Sequence, residues 1–216
     1  MEFKFMPIGI PKVLSRCGGK NIYRKVHETL QMERILFLYR DLEDDDVNRL
    51  ISLLLYLDLQ DYFDTDIFFY INCDGGEAGE ALLAITLYNT IGFLLADVWT
   101  IATGFAISGA SLILAGGTIP KRVAFPHARI IIRQPAPYYL IRGSAKEIQV
   151  EAEQMFELRN TFAEIYAKKT GQPLDVVQND LERDTFMSAK QAQDYGIVDR
   201  IAKKVLKEKK KPPELF

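Results

Sequence analysis

Two short stretches hold the residue types that nucleophilic chemistry needs. One is Gly104-Phe-Ala-Ile-Ser108-Gly-Ala, the other Asn72-Cys-Asp-Gly-Gly76. Each follows an apolar, β-branched run and leads toward residues patterned as a helix, so each reads as a strand-to-helix junction. Glycines there let backbone N–H groups face the crevice at the C-terminal edge of an open α/β sheet, where ligands bind. A serine at such a junction has its hydroxyl near a helix N-terminus, where oriented amides and the helix dipole stabilise an oxyanion. The same residue types also make plain turns and helix caps, so neither motif decides the matter alone. The sequence has no GxxxxGK[ST], no GxGxxG after a strand and no HExxH. Any nucleotide-driven step must therefore come from another protein.

The elements that would position these motifs alternate. Arg34–Leu38 reads as a buried strand. Asp44, Asp45 and Asp46 supply N-terminal acids for a helix carrying Val47, Leu50, Ile51 and Leu54. Asp66–Ile71 reads as a strand, Ala81–Phe93 as a helix and Asp97–Ala102 as a strand. The small and apolar run Phe105–Ala115 reads as a helix packed on a sheet, and Arg129–Arg133 as a strand ended by Pro135 and Pro137. Ser144–Lys169 is the longest helical run, with Ile148, Ala152, Met155, Phe162, Ile165 and Tyr166 on one stripe, closed by Gly171 and Pro173. Ser188 opens a short helix capped at Gly196, and Ile197–Ile201 reads as a last strand. Residues 1–30 show no period, and Lys203–Lys211 is a charge run read as a solvated tail. This alternation predicts an α/β domain with a largely parallel sheet, from which the long helix projects.

Composition narrows the function classes. The 216 residues are 48% hydrophobic and 11% aromatic, enough for a real core. Twenty-seven basic against 29 acidic side chains give a net charge of −2, without the footprint of a nucleic-acid binder. Two cysteines, Cys17 and Cys73, with no CxxC pair, and two histidines, His27 and His127, argue against a disulfide scaffold or a structural zinc site. No apolar stretch approaches the length of a spanning helix, and the first residues read as neither signal nor transit peptide. The expectation is a soluble, metal-free, intracellular protein.

Beyond these patterns the chain resembles a known family over roughly residues 6–202. The blocks that carry the likeness are Met6-Pro-Ile-Gly-Ile-Pro-Lys-Val13, Glu33-Arg-Ile-Leu-Phe-Leu38, Ile71-Asn-Cys-Asp-Gly-Gly76 and Gly104-Phe-Ala-Ile-Ser108. They continue with Lys121-Arg-Val-Ala-Phe-Pro-His-Ala-Arg129, Gln134-Pro135, Asp180-Leu-Glu-Arg-Asp-Thr-Phe-Met-Ser-Ala189 and Tyr195-Gly-Ile-Val-Asp199. Together they resemble the Clp protease proteolytic subunits, ClpP, most closely the plastid-encoded type. The resemblance implies a crotonase-like fold of repeated β-α units. It also implies two stacked heptameric rings (a tetradecamer) of homologous ClpP- and ClpR-type subunits, and an AAA+ unfoldase that uses ATP and delivers unfolded proteins. By the same resemblance, Ser108 falls on the nucleophile and Asp184 on the third triad member. Gly76, or Gly75 beside it, and Gly109 fall on the oxyanion-hole amides. It further implies an axial-pore segment at 1–30, a body at 31–202 with a handle at about 135–170, a tail at 203–216, no cofactor, and a place in the plastid stroma.

One position departs from that pattern. The family's catalytic histidine stands just before Gln-Pro, and here position 133, before Gln134-Pro135, is arginine. A guanidinium keeps its protons throughout the physiological range and has no lone pair to offer, so Arg133 cannot be a general base. His127 lies about 20 Å away along an extended strand, and His27 reads as a surface residue. Arg133 is expected to pair with Asp184. Asp74, where the family usually has proline, would oppose an oxyanion, and Cys73 reads as a buried small side chain. Three readings follow: a core subunit that does not cut, an active serine endopeptidase in which Arg133 is an isolated change, and a crotonase-type acyl-CoA enzyme.

Overall fold

The computed structural model describes residues 12–17, 20–60, 65–75, 80–136 and 143–203. A seven-stranded sheet is the frame. β3 (Ile35–Leu38), β4 (Ile67–Cys73) and β5 (Val98–Ile107) pair in parallel, and β5 then serves two neighbours. Its first half pairs with β6 (Arg122–Ala124), which continues to β9 (Arg200–Ile201). Its second half pairs with β7 (Arg129–Ile132), and β8 (Thr185–Ser188) runs antiparallel beside β7.

The division of β5 has a local cause. Ile71 stands opposite Ala102, yet Cys73 stands opposite Ala106, so β5 spends four residues where β4 spends two. Asn72 fills the gap: its Oδ1 accepts the Phe105 amide at 2.8 Å. A Cβ on Gly104 would overlap that same oxygen, so the glycine is required by close approach. The bulge lies where β5 passes from pairing with β6 to pairing with β7 along the edge opposite β4, just ahead of Ser108.

Helices pack around this frame for readable reasons. α2 (Asp44–Asp58) has three acids in its first turn, favourable to the helix dipole, and buries Val47, Leu50, Leu54 and Leu57 at helical spacing. α3 (Glu80–Phe93) lies against α4 (Gly109–Gly116), every residue of which is buried. α5 (Ala145–Thr170) starts in a Ser144/Glu147 capping box and ends at Gly171 in the left-handed region, φ 77°. α6 (Leu174–Leu181) and α7 (Ala189–Tyr195) flank β8. Tyr195 donates to Asp180 Oδ2 at 2.9 Å. Burial, and then that hydrogen bond, hold the Tyr195 phenol well above its ordinary pKa, so it remains a donor tying α7 to α6.

Several expectations need correction. Phe105–Ile107 is strand, not helix, because the bulge keeps it paired with β7; the helix begins only at Gly109. The region read as irregular contains an antiparallel hairpin, β1 (Lys12–Cys17) with β2 (Lys20–Lys25), and α1 (Val26–Met32). The Gly18-Gly19 pair between those strands is itself a hairpin signal. β6, α6 and β8 were not expected, and the last strand is only Arg200–Ile201. The predicted stripe on α5 is buried only at its C-terminal end, at Phe162 and Tyr166 (beside Ala163), while Ile148 is exposed. Residues 1–11, the handle's first stretch at 137–142 and the tail from 204 lie outside the described residues.

Candidate active site

Ser108 sits in the elbow between β5 and α4 with φ 53° and ψ −120°. That backbone region suits glycine, and a side chain held there stores about 1–3 kcal/mol of strain. Backbone bonds hold it in place. Its N–H donates to Ile131 O at 2.9 Å, and its carbonyl accepts the amides of Ser111 at 3.0 Å and Leu112 at 3.2 Å. The residue is 3% exposed. No described residue hydrogen-bonds its hydroxyl.

Strand register brings the other two motif positions to the same edge. Ile107 stands beside Ile131 in the parallel β5–β7 ladder, which runs Ser108 alongside Ile132. Ile132 pairs with Thr185 in the antiparallel β7–β8 ladder, so Arg133 and Asp184 are the next residues on facing strands. Gln134 N–H donates to Leu181 O at 3.1 Å and fixes the chain just past Arg133. The expected Arg133–Asp184 ion pair does not form: the described ion pairs include neither residue. Asp184 is exposed, and the turn before β8 closes on itself through the Thr185 hydroxyl, which bonds Asp180 O at 2.8 Å. Asp184 is solvated, and an ion pair with a carboxylate that stays in water offers little to draw the two side chains together.

The glycine loop is partly defined. Gly75 adopts φ 94°, and its amide donates to Cys73 Sγ at 3.3 Å, turned back on the loop. Cys73 is buried and in no disulfide, and its thiol serves as a turn acceptor that sequence reading gave no role. Gly76 lies outside the described residues. Gly109 is the first residue of α4 and buried, so its N–H belongs to the helix's opening amides, which lack intrahelical acceptors. Asp74 is exposed and lines a cavity with Tyr39, Arg40, Asn72 and Phe105.

The chain's two histidines are elsewhere. His127 is exposed ahead of β7, four residues upstream of Ile131, or about 13 Å along an extended strand. His27 is on α1 beside β3, two strand spacings, about 10 Å of sheet, from β5.

The sequence model for the Clp protease family matches residues 18–205. The chain belongs to the Clp protease family. Curated relatives described as ATP-dependent Clp protease proteolytic subunits agree with this. The one from Anthoceros angustus is 46% identical over 91% of this chain and 95% of its own length. Those from Vitis vinifera and Adiantum capillus-veneris are 45% and 43% identical over 91% of this chain, and over 99% and 97% of their own lengths. The α/β body with its strand-to-helix serine is that family's fold, and the acyl-CoA reading is set aside. Among the described residues no group of three or more His, Cys, Asp or Glu could hold a metal, and no helix is long and apolar enough to cross a membrane.

In this Clp family member the elbow has a buried layer beneath it that sequence reading missed. Ser111 Oγ bonds Ser108 O at 2.7 Å and Ile131 O at 3.0 Å, and it stands 2.6 Å from the Tyr166 hydroxyl of α5. The available signal was a single hydroxyl in the otherwise small and apolar run Gly109–Gly116, since a buried polar group needs partners. Tyr166 was expected only as one member of an apolar stripe.

Proposed function

We propose that this chain is a subunit of a Clp proteolytic core that builds the chamber and does not itself cut. It assembles into heptameric rings with homologous subunits in a plastid stroma, and an AAA+ partner spends the ATP and delivers unfolded protein. Ser108 occupies the nucleophile position and Asp184 the third triad position. By the family pattern, Gly76 and Gly109 hold the oxyanion-hole positions.

The observation that carries this reading is Arg133. A serine hydroxyl becomes nucleophilic when a base within about 3 Å takes its proton. Arginine offers no lone pair, and both histidines lie on other parts of the fold. Loss of the base in a comparable serine protease lowers turnover by on the order of 10⁶, leaving roughly 10³–10⁴ over water from the oxyanion hole and binding. Cutting in mixed rings then falls to neighbouring subunits.

The intact elbow favours a second reading, in which the chain is an active serine endopeptidase, Arg133 is an isolated change, and Ser108 finds its base elsewhere in the assembly. A fluorophosphonate probe, which reacts with an activated serine, separates the two. The chain is assembled with its partner subunits as wild type, Arg133→His and Ser108→Ala. The expected result is no labelling of the wild-type chain and labelling after Arg133→His. Labelling of the wild-type chain that disappears in Ser108→Ala overturns the non-cutting assignment.

A further inference from the structure

We propose that Tyr166 and Ser111 are positioning residues for Ser108, forming a two-hydroxyl relay that lets the long helix hold the strained elbow. The proposal rests on reading Ser108 as the nucleophile position. It adds two residues from outside the triad and outside the oxyanion loops.

Proton counting sets the direction of the relay. Ser111 has one hydroxyl proton and faces two carbonyl oxygens, Ser108 O at 2.7 Å and Ile131 O at 3.0 Å. A carbonyl only accepts, so that proton is committed to the backbone. With the Ser111 proton on the backbone, the Tyr166 hydroxyl serves as the donor across the 2.6 Å contact to Ser111 Oγ. Tyr166 is 0% exposed, as is Ser111, so water does not compete for either group. The Tyr166 oxygen is also 3.4 Å from Ser108 O, close enough to follow the elbow directly.

The two carbonyls concerned are not arbitrary. Ser108 O closes the first turn of α4, and Ile131 O is the acceptor that fixes the Ser108 amide. Ser111 thus bridges both walls of the elbow, β7 on one side and α4 on the other, and Tyr166 holds Ser111 in the rotamer that does so. A residue held at φ 53° relaxes unless its surroundings over-determine it. Tyr166 comes from α5, whose N-terminal half is exposed and whose C-terminal half packs on the body, so the position of that helix is read out at Ser108.

The test compares Tyr166→Phe, Ser111→Ala and the double variant in the assembled complex. In the Arg133→His background each single variant is expected to lower the rate constant of the covalent probe step about tenfold, the effect of a lost buried hydrogen bond. The half-saturating probe concentration should stay unchanged. The double variant should equal the singles, because members of one relay are not additive. A second readout uses no catalysis. In the chain with Arg133 in place, amide hydrogen exchange at Ser111 and Leu112 should quicken by a similar factor in Tyr166→Phe, with β4 amides unchanged. Failure of Arg133→His to label counts against the reading of Arg133, and the exchange arm still decides the relay. Unchanged exchange at Ser111 and Leu112 overturns the relay. An equal rise in β4 overturns it too, by reducing both residues to general packing.

Discussion

Asn72 accepts the amide of Phe105 across a β-bulge, and the space a side chain on Gly104 would need is already taken by that carboxamide oxygen. This relationship aims the strand that ends in Ser108. Gly104→Ala must either displace Asn72 or break the bulge. We expect a loss of about 1–3 kcal/mol, as for other buried hydrogen bonds left without a partner. Thermal unfolding of the variant should fall accordingly, and Asn72→Ala should reproduce most of the loss.

Ser108→Gly should raise stability. The conformation at φ 53° suits glycine, and release of strain exceeds the extra backbone entropy of the unfolded chain. A net gain of about 1 kcal/mol corresponds to a Tm increase of roughly 2–4 °C for a chain of this size. Calorimetry checks it, and a lowered Tm counts against a strained elbow.

Arg133 carries no ion pair among the described residues, so its replacement should be mild. Arg133→His and Arg133→Ala are expected to stay within about 1 kcal/mol of the parent in denaturant melts. The contrast between small stability effects and a large change in probe labelling for the histidine variant is the informative outcome.

Arg122 and Asp199 behave oppositely. Their side chains meet at 2.6 Å, 4% and 14% exposed, and Arg122 also donates to Lys169 O at the end of α5. Asp199→Asn leaves a buried guanidinium without its counter-charge, a loss of about 3–5 kcal/mol. The corresponding Tm drop is on the order of 10 °C.

A pH profile should expose the cluster at the opposite edge of the sheet, where Lys121 bonds Asp66 at 2.9 Å and Asp97 at 2.7 Å beside Trp99. Burial pushes the Asp66 carboxyl up, but hydrogen bonds from Lys121 and then Trp99 outweigh it, so its pKa lies below the ordinary value. Its contribution is therefore full above the ordinary aspartate range and lost as pH falls through the lowered native value. Hydrogen bonds to Asp97 and then Asp66 raise the Lys121 pKa, so its contribution is full below the ordinary lysine range and lost as pH rises through the raised native value. Asp66→Asn should flatten the acid limb of a stability–pH curve.

Periodic elements were legible because burial is periodic: α2, α3, α7 and the core strands lie where apolar spacing put them. The β5 bulge was not, because it depends on a side chain from another strand. Without it, Phe105–Ile107 has the small, apolar look of a helix start. The hairpin at Lys12–Lys25 was missed because polar residues predominate in both strands and leave no apolar alternation to read. Ser108, Arg133 and Asp184 were legible as motif positions, and strand register places them side by side. The Arg133–Asp184 pair was wrongly expected because adjacency on facing strands does not by itself turn a half-buried guanidinium and a solvated carboxylate toward each other. The Ser111–Tyr166 contact joins residues 55 positions apart, and no local pattern announces such a meeting.

The three motif positions are set side by side by main-chain ladders, while the proton acceptor is a matter of one side chain. Architecture and reactivity are therefore separately heritable in this molecule. On the proposed reading, a substitution at position 133 removes the base while leaving the ladders intact. A lineage can thus keep such a subunit for its shape long after its blade is gone, and one codon is enough to sharpen it again.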